Sequence, residues 1–306
     1  MFFTQEEKIQ IGKMVVERQE LSGLTQAKFA RANDFNPADI SNLRGESWKK
    51  NPVLIGEQKW VKFARFVGFN RSRELEWNIA NTRVKREIDA QLAACKNYSF
   101  TAILCDDAGI GKTFACKAYA AKMPHVYYID CSNSRTRIRL IRAIGKVVGV
   151  DTNDRADEVF ENAMYVLRQT ERPLLIFDEA GDLEDKAFLE LKRLYNNLEG
   201  ICGFYIVGAD GLKRKIEKGE AAKKVGFTEI FSRFGKKFTK IIPVERESKR
   251  DFLLNMTNEV LAVNGITDRQ QISVIAQAVV ANGGLKDLRT VYREVMKIRI
   301  KKEASI

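Results

Sequence analysis

Hydrophobic positions along the chain fall into three regimes. From residue 5 to about 70 they recur at helical spacing, in stretches separated by turn residues. From about 98 to 243, apolar runs of strand length alternate with helical patterns, which predicts a parallel α/β sheet with strands at 100–105, 126–130, 173–178, 202–207 and 238–243. From Glu247 onward the spacing is helical only. The pattern divides the chain into an N-terminal helical unit (1–72), a central α/β unit (73–245) and a C-terminal helical unit (246–306), with no internal repeat or low-complexity tract.

Two of the predicted strands end in residues that carry chemistry. Ala102 to Thr113 reads AILCDDAGIGKT, a buried strand entering a glycine-containing turn and then a helix. Glycines at 109 and 111 allow a loop whose backbone N–H groups all point at one anion, because no Cβ blocks the required backbone angles. Lys112 would reach the β- and γ-phosphates of a nucleotide, Thr113 would place its hydroxyl on Mg²⁺, and the helix that starts there would turn its positive end toward them. Asp107, Ala108, Gly109, Ile110, Gly111, Lys112, Thr113 and Phe114 are the candidate nucleotide contacts. Lys112 is expected in a surface loop. The pattern G-x-x-x-x-G-K-[ST] has its first glycine replaced by Asp106, so Asp106 and Asp107 are expected to bring negative charge close to the polyphosphate.

The second strand, Arg172-Pro173-Leu174-Leu175-Ile176-Phe177, is apolar enough to be buried on both faces and ends in Asp178-Glu179. In combination with Lys112 and Thr113, Asp178 is a candidate Mg²⁺ holder and Glu179 a candidate base that polarises water for attack on the γ-phosphate.

In the N-terminal unit, Thr25 can cap a helix that turns Phe29 and Ala30 inward, and Asn36-Pro37 supplies an N-cap followed by proline at the first helical position. The second helix would bury Ile40 and Leu43 and present Ala38, Asp39, Ser41, Asn42 and Arg44. That pairing resembles a helix-turn-helix whose second helix enters the major groove, which makes Ala38, Ser41, Asn42 and Arg44 candidate DNA contacts; a helical hairpin used for protein contacts fits the same pattern. Trp60, Phe63 and Val67, at helical spacing, are expected in the core.

Charge points toward a polyanion. The 306 residues contain 52 Lys and Arg against 40 Asp and Glu, a net charge of +12. Arg135, Arg139, Arg142 and Lys146 are spaced to stack on one helix face, with Ile138, Ile141, Ile144 and Val148 on the other and Arg137 at the helix start. Such a face can track a DNA backbone through phosphates alone, or can simply be solvated. Five cysteines without a C-x-x-C pair and a single histidine argue for reduced thiols and against zinc. No apolar run has the length of a membrane span, so no membrane partner and a cytoplasmic location are expected.

With phosphate loop, Asp-Glu strand and helical tail in this order, the chain resembles the AAA+ ATPases, and more narrowly the target-selecting ATPases of Mu B type phage transposition. The resemblance implies an α/β AAA+ P-loop NTPase with an N-terminal helix-turn-helix domain (1–72) and a C-terminal helical lid (246–306). It implies ATP and Mg²⁺, an arginine finger at Arg233 acting on a neighbouring subunit, and a sensor near Asp210 where the family's usual Asn or Thr is missing. Lys286 or Arg289 stands where a second sensor touches the γ-phosphate. The function it implies is ATP-dependent, sequence-tolerant binding of double-stranded DNA by a homo-oligomer that directs a transposase. A helicase loader or replication initiator, and a helix-turn-helix transcriptional regulator with a nucleotide-sensing domain, are the alternative readings.

Overall fold

Capping side chains set the limits of the N-terminal helices. Thr4 forms a capping box with Glu7 at α1 (Gln5–Leu21), Thr25 caps α2 (Gln26–Ala32), and Asn36 with Pro37 opens α3 (Pro37–Arg44). The short α4 (Ser47–Lys50) and α5 (Glu57–Val67) follow. Trp60, Phe63 and Val67 of α5 join Ile11, Phe29, Ile40, Leu43 and Trp48 in one core, and the Trp48 and Trp60 rings meet edge to face at 4.7 Å. Asp39 departs from its predicted outward position: it is buried, and Lys59 of α5 donates to its carboxylate at 2.8 Å. The α3 turn that carries it faces α5, and the ammonium of Lys59 makes the burial of that carboxylate tolerable.

The computed structural model describes residues 3–69, 78–280 and 288–303. Helix α6 (Arg83–Tyr98) leads into β1 (Thr101–Cys105) and α7 (Lys112–Lys122), then β2 (Val126–Asp130), α8 (Arg137–Val148) and α9 (Ala156–Gln169). The chain continues through β3 (Leu174–Asp178), α10 (Asp185–Leu198), β4 (Gly203–Gly208), α11 (Asp210–Ala221), α12 (Phe227–Arg233) and β5 (Phe238–Thr239). All pairings are parallel and the sheet order is β2-β3-β4-β1-β5. Every residue of β3 and β4 is buried, as strands covered on both faces must be. Helices α8 to α12 pack on one face and α6, α7 and α13 on the other, each with its own apolar core.

The last strand is shorter than the run 238–243 predicts. Only Phe238 and Thr239 belong to it, paired with β1. Beyond them the backbone amides of Ile241 and Ile242 go to a side chain, the carboxylate of Asp106, instead of to a strand.

Three further helices, α13 (Arg246–Val263), α14 (Arg269–Val280) and α15 (Leu288–Glu303), pack through Val260, Leu261, Ile266, Ile275, Val291 and Val295, with Ala80 from the stretch before α6. The N-terminal helices meet the α/β unit where α2 lies on α8 and Leu24 covers Gly149, at which a Cβ would lie 2.5 Å from the Leu24 side chain. Among the described residues, no helix is long and apolar enough to cross a membrane.

Candidate active site

The C-terminal ends of β1, β2 and β3 open onto one cavity of about 700 Å³. One end is the turn after β1. Gly109 and Gly111 take φ of +78° and +94°, left-handed values that L side chains avoid, and residues Ala108 to Phe114 line the cavity. Lys112 is the first residue of α7 and is buried, not in a surface loop as expected. Its Nζ donates to the carbonyls of Asp106 and Asp107 at 2.8 and 2.7 Å. Burial lowers the pKa of this ammonium, against the pull of Asp106, Glu179 and Asp178.

Neither aspartate of the turn lines the cavity. Asp106 is 1% exposed and turned under the loop, its Oδ2 accepting from Ile241 and Ile242 and its Oδ1 from the Asp107 amide at 2.8 Å. Asp107, predicted as a nucleotide contact, is not among the cavity-lining residues, and its carboxylate pairs with Lys249 of α13. Both corrections have one cause: amides and ammoniums beyond β5 stand behind the loop and draw the carboxylates away.

The opposite wall carries a second carboxylate pair. Asp178 is 1% exposed at the end of β3; Tyr128 donates its hydroxyl to Oδ2 at 2.7 Å, and the Glu179 amide donates to Oδ1 at 3.0 Å. Burial and the neighbouring Asp178 push the Tyr128 phenol well up, so it stays a donor. Glu179 adopts φ +51°, a sparsely populated conformation for a side chain of its size, and lines the cavity. Burial, then Asp178 beside it, raise its pKa above the ordinary carboxylate value. Asp130 pairs with Asp178 in the sheet register and lines the same cavity. Burial works to raise its pKa, but hydrogen bonds from Ser132 and Asn133 outweigh it and hold the carboxyl low.

The remaining lining holds an apolar patch, formed by Ile79 and Ala80 before α6, Val260 of α13 and Tyr292 of α15, with Thr82, Lys85 and Lys117 also on the wall. Sequence reasoning did not find the four residues of this patch. They come from three separate stretches and share no spacing, and the helical pattern of Val260 and Tyr292 reads as ordinary core. A glycine turn at a helix start together with an apolar patch in the same cavity suits a nucleotide's phosphates and base.

Other predicted residues lie elsewhere. Ala209 lines the cavity, whereas Asp210 opens α11 exposed and does not. Arg233 ends α12 beside the N-terminal end of β1, at the opposite end of the strands from the cavity: its carbonyl accepts from Thr101 at the start of β1, and its Nε donates to Asn196 at 2.7 Å. It cannot reach the cavity of its own chain. Lys286 lies outside the described residues, as does the side chain of Arg289.

On α8, Arg139, Arg142 and Lys146 are exposed, with no ion-pair partner among the described residues. Two expectations for this helix fail. Thr136 is the N-cap, so Arg135 precedes the helix and its Nε bonds the Asp182 carbonyl at 3.3 Å. Ile138 is 50% exposed, because the inward stripe runs through Leu140, Ile141, Ile144 and Val148. Arg137 sits at the helix start, paired with Asp157 and Glu190. On α3, Ala38, Ser41 and Arg44 are exposed and Asn42 is half-buried, while the Arg44 guanidinium pairs with Glu20 at 3.0 Å.

Comparison with known proteins agrees with this geometry. Residues 101–216 match the AAA domain family. A DNA transposition protein B of the Mu-like prophage FluMu from Haemophilus influenzae is 25% identical over 280 residues, which cover 89% of this chain and 91% of that protein.

Proposed function

We propose that this chain, an α/β P-loop NTPase with an AAA domain and a likeness to a transposition protein B along most of its length, hydrolyses ATP and uses it to assemble on duplex DNA and deliver that DNA to a transposase. The observation that carries the reading is the convergence of Lys112, Thr113, Asp178 and Glu179, from two strands that are not neighbours in the sheet, on one cavity with an apolar patch. Lys112 and the amides after Ala108 bind phosphate oxygens, and Glu179 accepts the proton of the attacking water. Thr113 and Asp178 would hold Mg²⁺, which supplies neutralisation of charge on the phosphates.

Because Arg233 is remote from its own cavity, its role as an arginine finger requires a second copy, and hydrolysis then depends on oligomerisation. By the same resemblance, Lys286 or Arg289 would be the residue that touches the γ-phosphate. Arg139, Arg142 and Lys146 follow the DNA backbone, with Arg135 at the edge of the same face. In the N-terminal helix-turn-helix unit, Ala38 and Ser41 are exposed on α3 with Asn42 half-buried beside them, and Arg44 must release Glu20 to take a phosphate. A net charge of +12 favours the polyanion throughout.

The test is binding to several unrelated duplexes at fixed salt, with and without ATP. Cooperative, ATP-dependent binding with little sequence preference is expected. Replacing Arg139, Arg142 and Lys146 by alanine should reduce the salt slope by roughly 0.9 for each phosphate no longer neutralised. Tight binding to one sequence regardless of nucleotide would instead describe a regulator.

A further inference from the structure

Asp106 stands where the phosphate-loop pattern has its first glycine. Its backbone is not left-handed, unlike that of Gly109 and Gly111, so the position makes no demand that only glycine could meet. What it does hold is chain from elsewhere. Oδ2 accepts from the amides of Ile241 and Ile242 at 2.6 and 3.0 Å, in the segment that joins β5 to α13. The next residue, Asp107, is ion-paired to Lys249 on α13, with Lys240 at 3.9 Å. Two successive loop residues thus bind two successive pieces of chain beyond the last strand.

Those ties matter because the cavity has two separately built walls. The phosphate cradle belongs to the loop after β1, while Val260 and Tyr292 reach the apolar patch from α13 and α15. Strand β5 pairs through two residues only, so beyond the packing of Ile242, Phe252 and Met256 on the sheet face the hydrogen-bond ladder adds little hold on the connection to α13. The Asp106 carboxylate takes over where the ladder stops, and charge-assisted bonds to backbone amides are among the stronger ones available. Lys112 Nζ sits on the carbonyls of the same two residues. One short piece of backbone therefore carries both the phosphate-facing ammonium and a polar anchor of the segment that leads into the C-terminal helices.

We infer that Asp106 and Asp107 are positioning residues for nucleotide binding, which set the distance between phosphate cradle and apolar patch so that base and phosphates are engaged together. The inference rests on the cavity being the nucleotide site.

Calorimetric titration of the full chain with Mg²⁺ tests it with two probes: a non-hydrolysable ATP analogue, which spans both walls, and inorganic tripolyphosphate, which meets the cradle alone. Asp106→Gly, which restores the consensus, is expected to weaken the analogue by about tenfold while leaving tripolyphosphate within about twofold. Asp106→Asn keeps an acceptor oxygen for the 241–242 amides and should recover most of the loss. Lys249→Met cuts the second tie without altering the loop, and should weaken the analogue by a smaller factor with tripolyphosphate unchanged. Parallel loss of both probes in Asp106→Gly would overturn the inference, since it would locate the effect in the cradle itself; unchanged affinity for the analogue would overturn it too. Should Asp106→Gly fail to fold, Lys249→Met decides the matter by the same two readouts. Lys112→Ala keeps the two readings apart: it should lose both probes, and wild-type binding of both would sink the nucleotide site before the positioning question arises.

Discussion

Asp106-Asp107 and Asp178-Glu179 are the same local arrangement at two places on one sheet. Asp106-Asp107 follow directly on β1 and Asp178-Glu179 straddle the end of β3, both five-residue parallel strands; each first aspartate is 1% exposed, and each accepts the amide of the residue after it, at 2.8 and 3.0 Å. Their surroundings part them. Behind Asp106 stand two backbone amides from beyond the last strand, and Asp107 meets a lysine; beside Asp178 stands the Tyr128 hydroxyl, and Glu179 turns through a left-handed backbone to the cavity. A carboxylate pair at a strand end therefore has no role until its partners across the fold are known. One pair here fastens chain together and the other faces the cavity.

The sharpest way to break that contrast is to treat the second members alike. Glu179→Gln should lower kcat for ATP hydrolysis by about 10²–10⁴ while nucleotide binding and DNA residence persist, as loss of a general base predicts. Asp107→Asn should leave kcat within about threefold and act on KM instead. Equal losses of kcat would end the distinction. The first members come next. Asp178→Asn should remove most of the Mg²⁺ enhancement of nucleotide binding, a change of about 10–100-fold, whereas Asp106→Asn should retain it; titrations with Mg²⁺ and with EDTA read this directly.

A pH profile sharpens the comparison further. Glu179 can take a proton only when ionised, and its pKa is raised above the ordinary 4.5 by burial and by Asp178. Hydrolysis should therefore fall with decreasing pH through a midpoint above that value, and Glu179→Gln should erase the limb; a limb that survives the substitution belongs to another group. The smallest expected effect is that of Tyr128→Phe, which removes one hydrogen bond from Asp178. It should cost about 1 kcal/mol and lower the melting temperature by about 2–4 °C. A loss on the scale of Glu179→Gln would mean that Tyr128 has a part in the chemistry.

Much of the architecture is legible in sequence because its signals are local. Four strands, the turn at Gly109 and Gly111, and the caps at Thr25 and Asn36 all lie within a few residues of the features that announce them. The misreadings concern partners that are remote. Asp106 is bonded to residues 135 and 136 positions away, which no short window contains, so a substituted motif looks like unwanted charge. Asp39 reads as exposed until Lys59 is placed opposite it. The apolar patch of the cavity combines Ile79, Ala80, Val260 and Tyr292, residues brought together only by tertiary packing. On α8 the discrepancy is one of phase: the buried stripe includes Leu140, which frees Ile138.

The strand order also bears on how such a chain emerges during synthesis. Strand β1 comes first of the five, yet its hydrogen-bonding neighbours are β4, whose last residue is Gly208, and β5, which ends at Thr239. Parallel partners so distant in sequence close large loops, which makes pairing slow and late. The apolar run that ends at Cys105 must wait with both edges unpaired while about a hundred more residues leave the ribosome, a period in which it is open to aggregation or to a chaperone. The loop after β1 is thus among the first parts of the α/β unit to be made and among the last to acquire its shape.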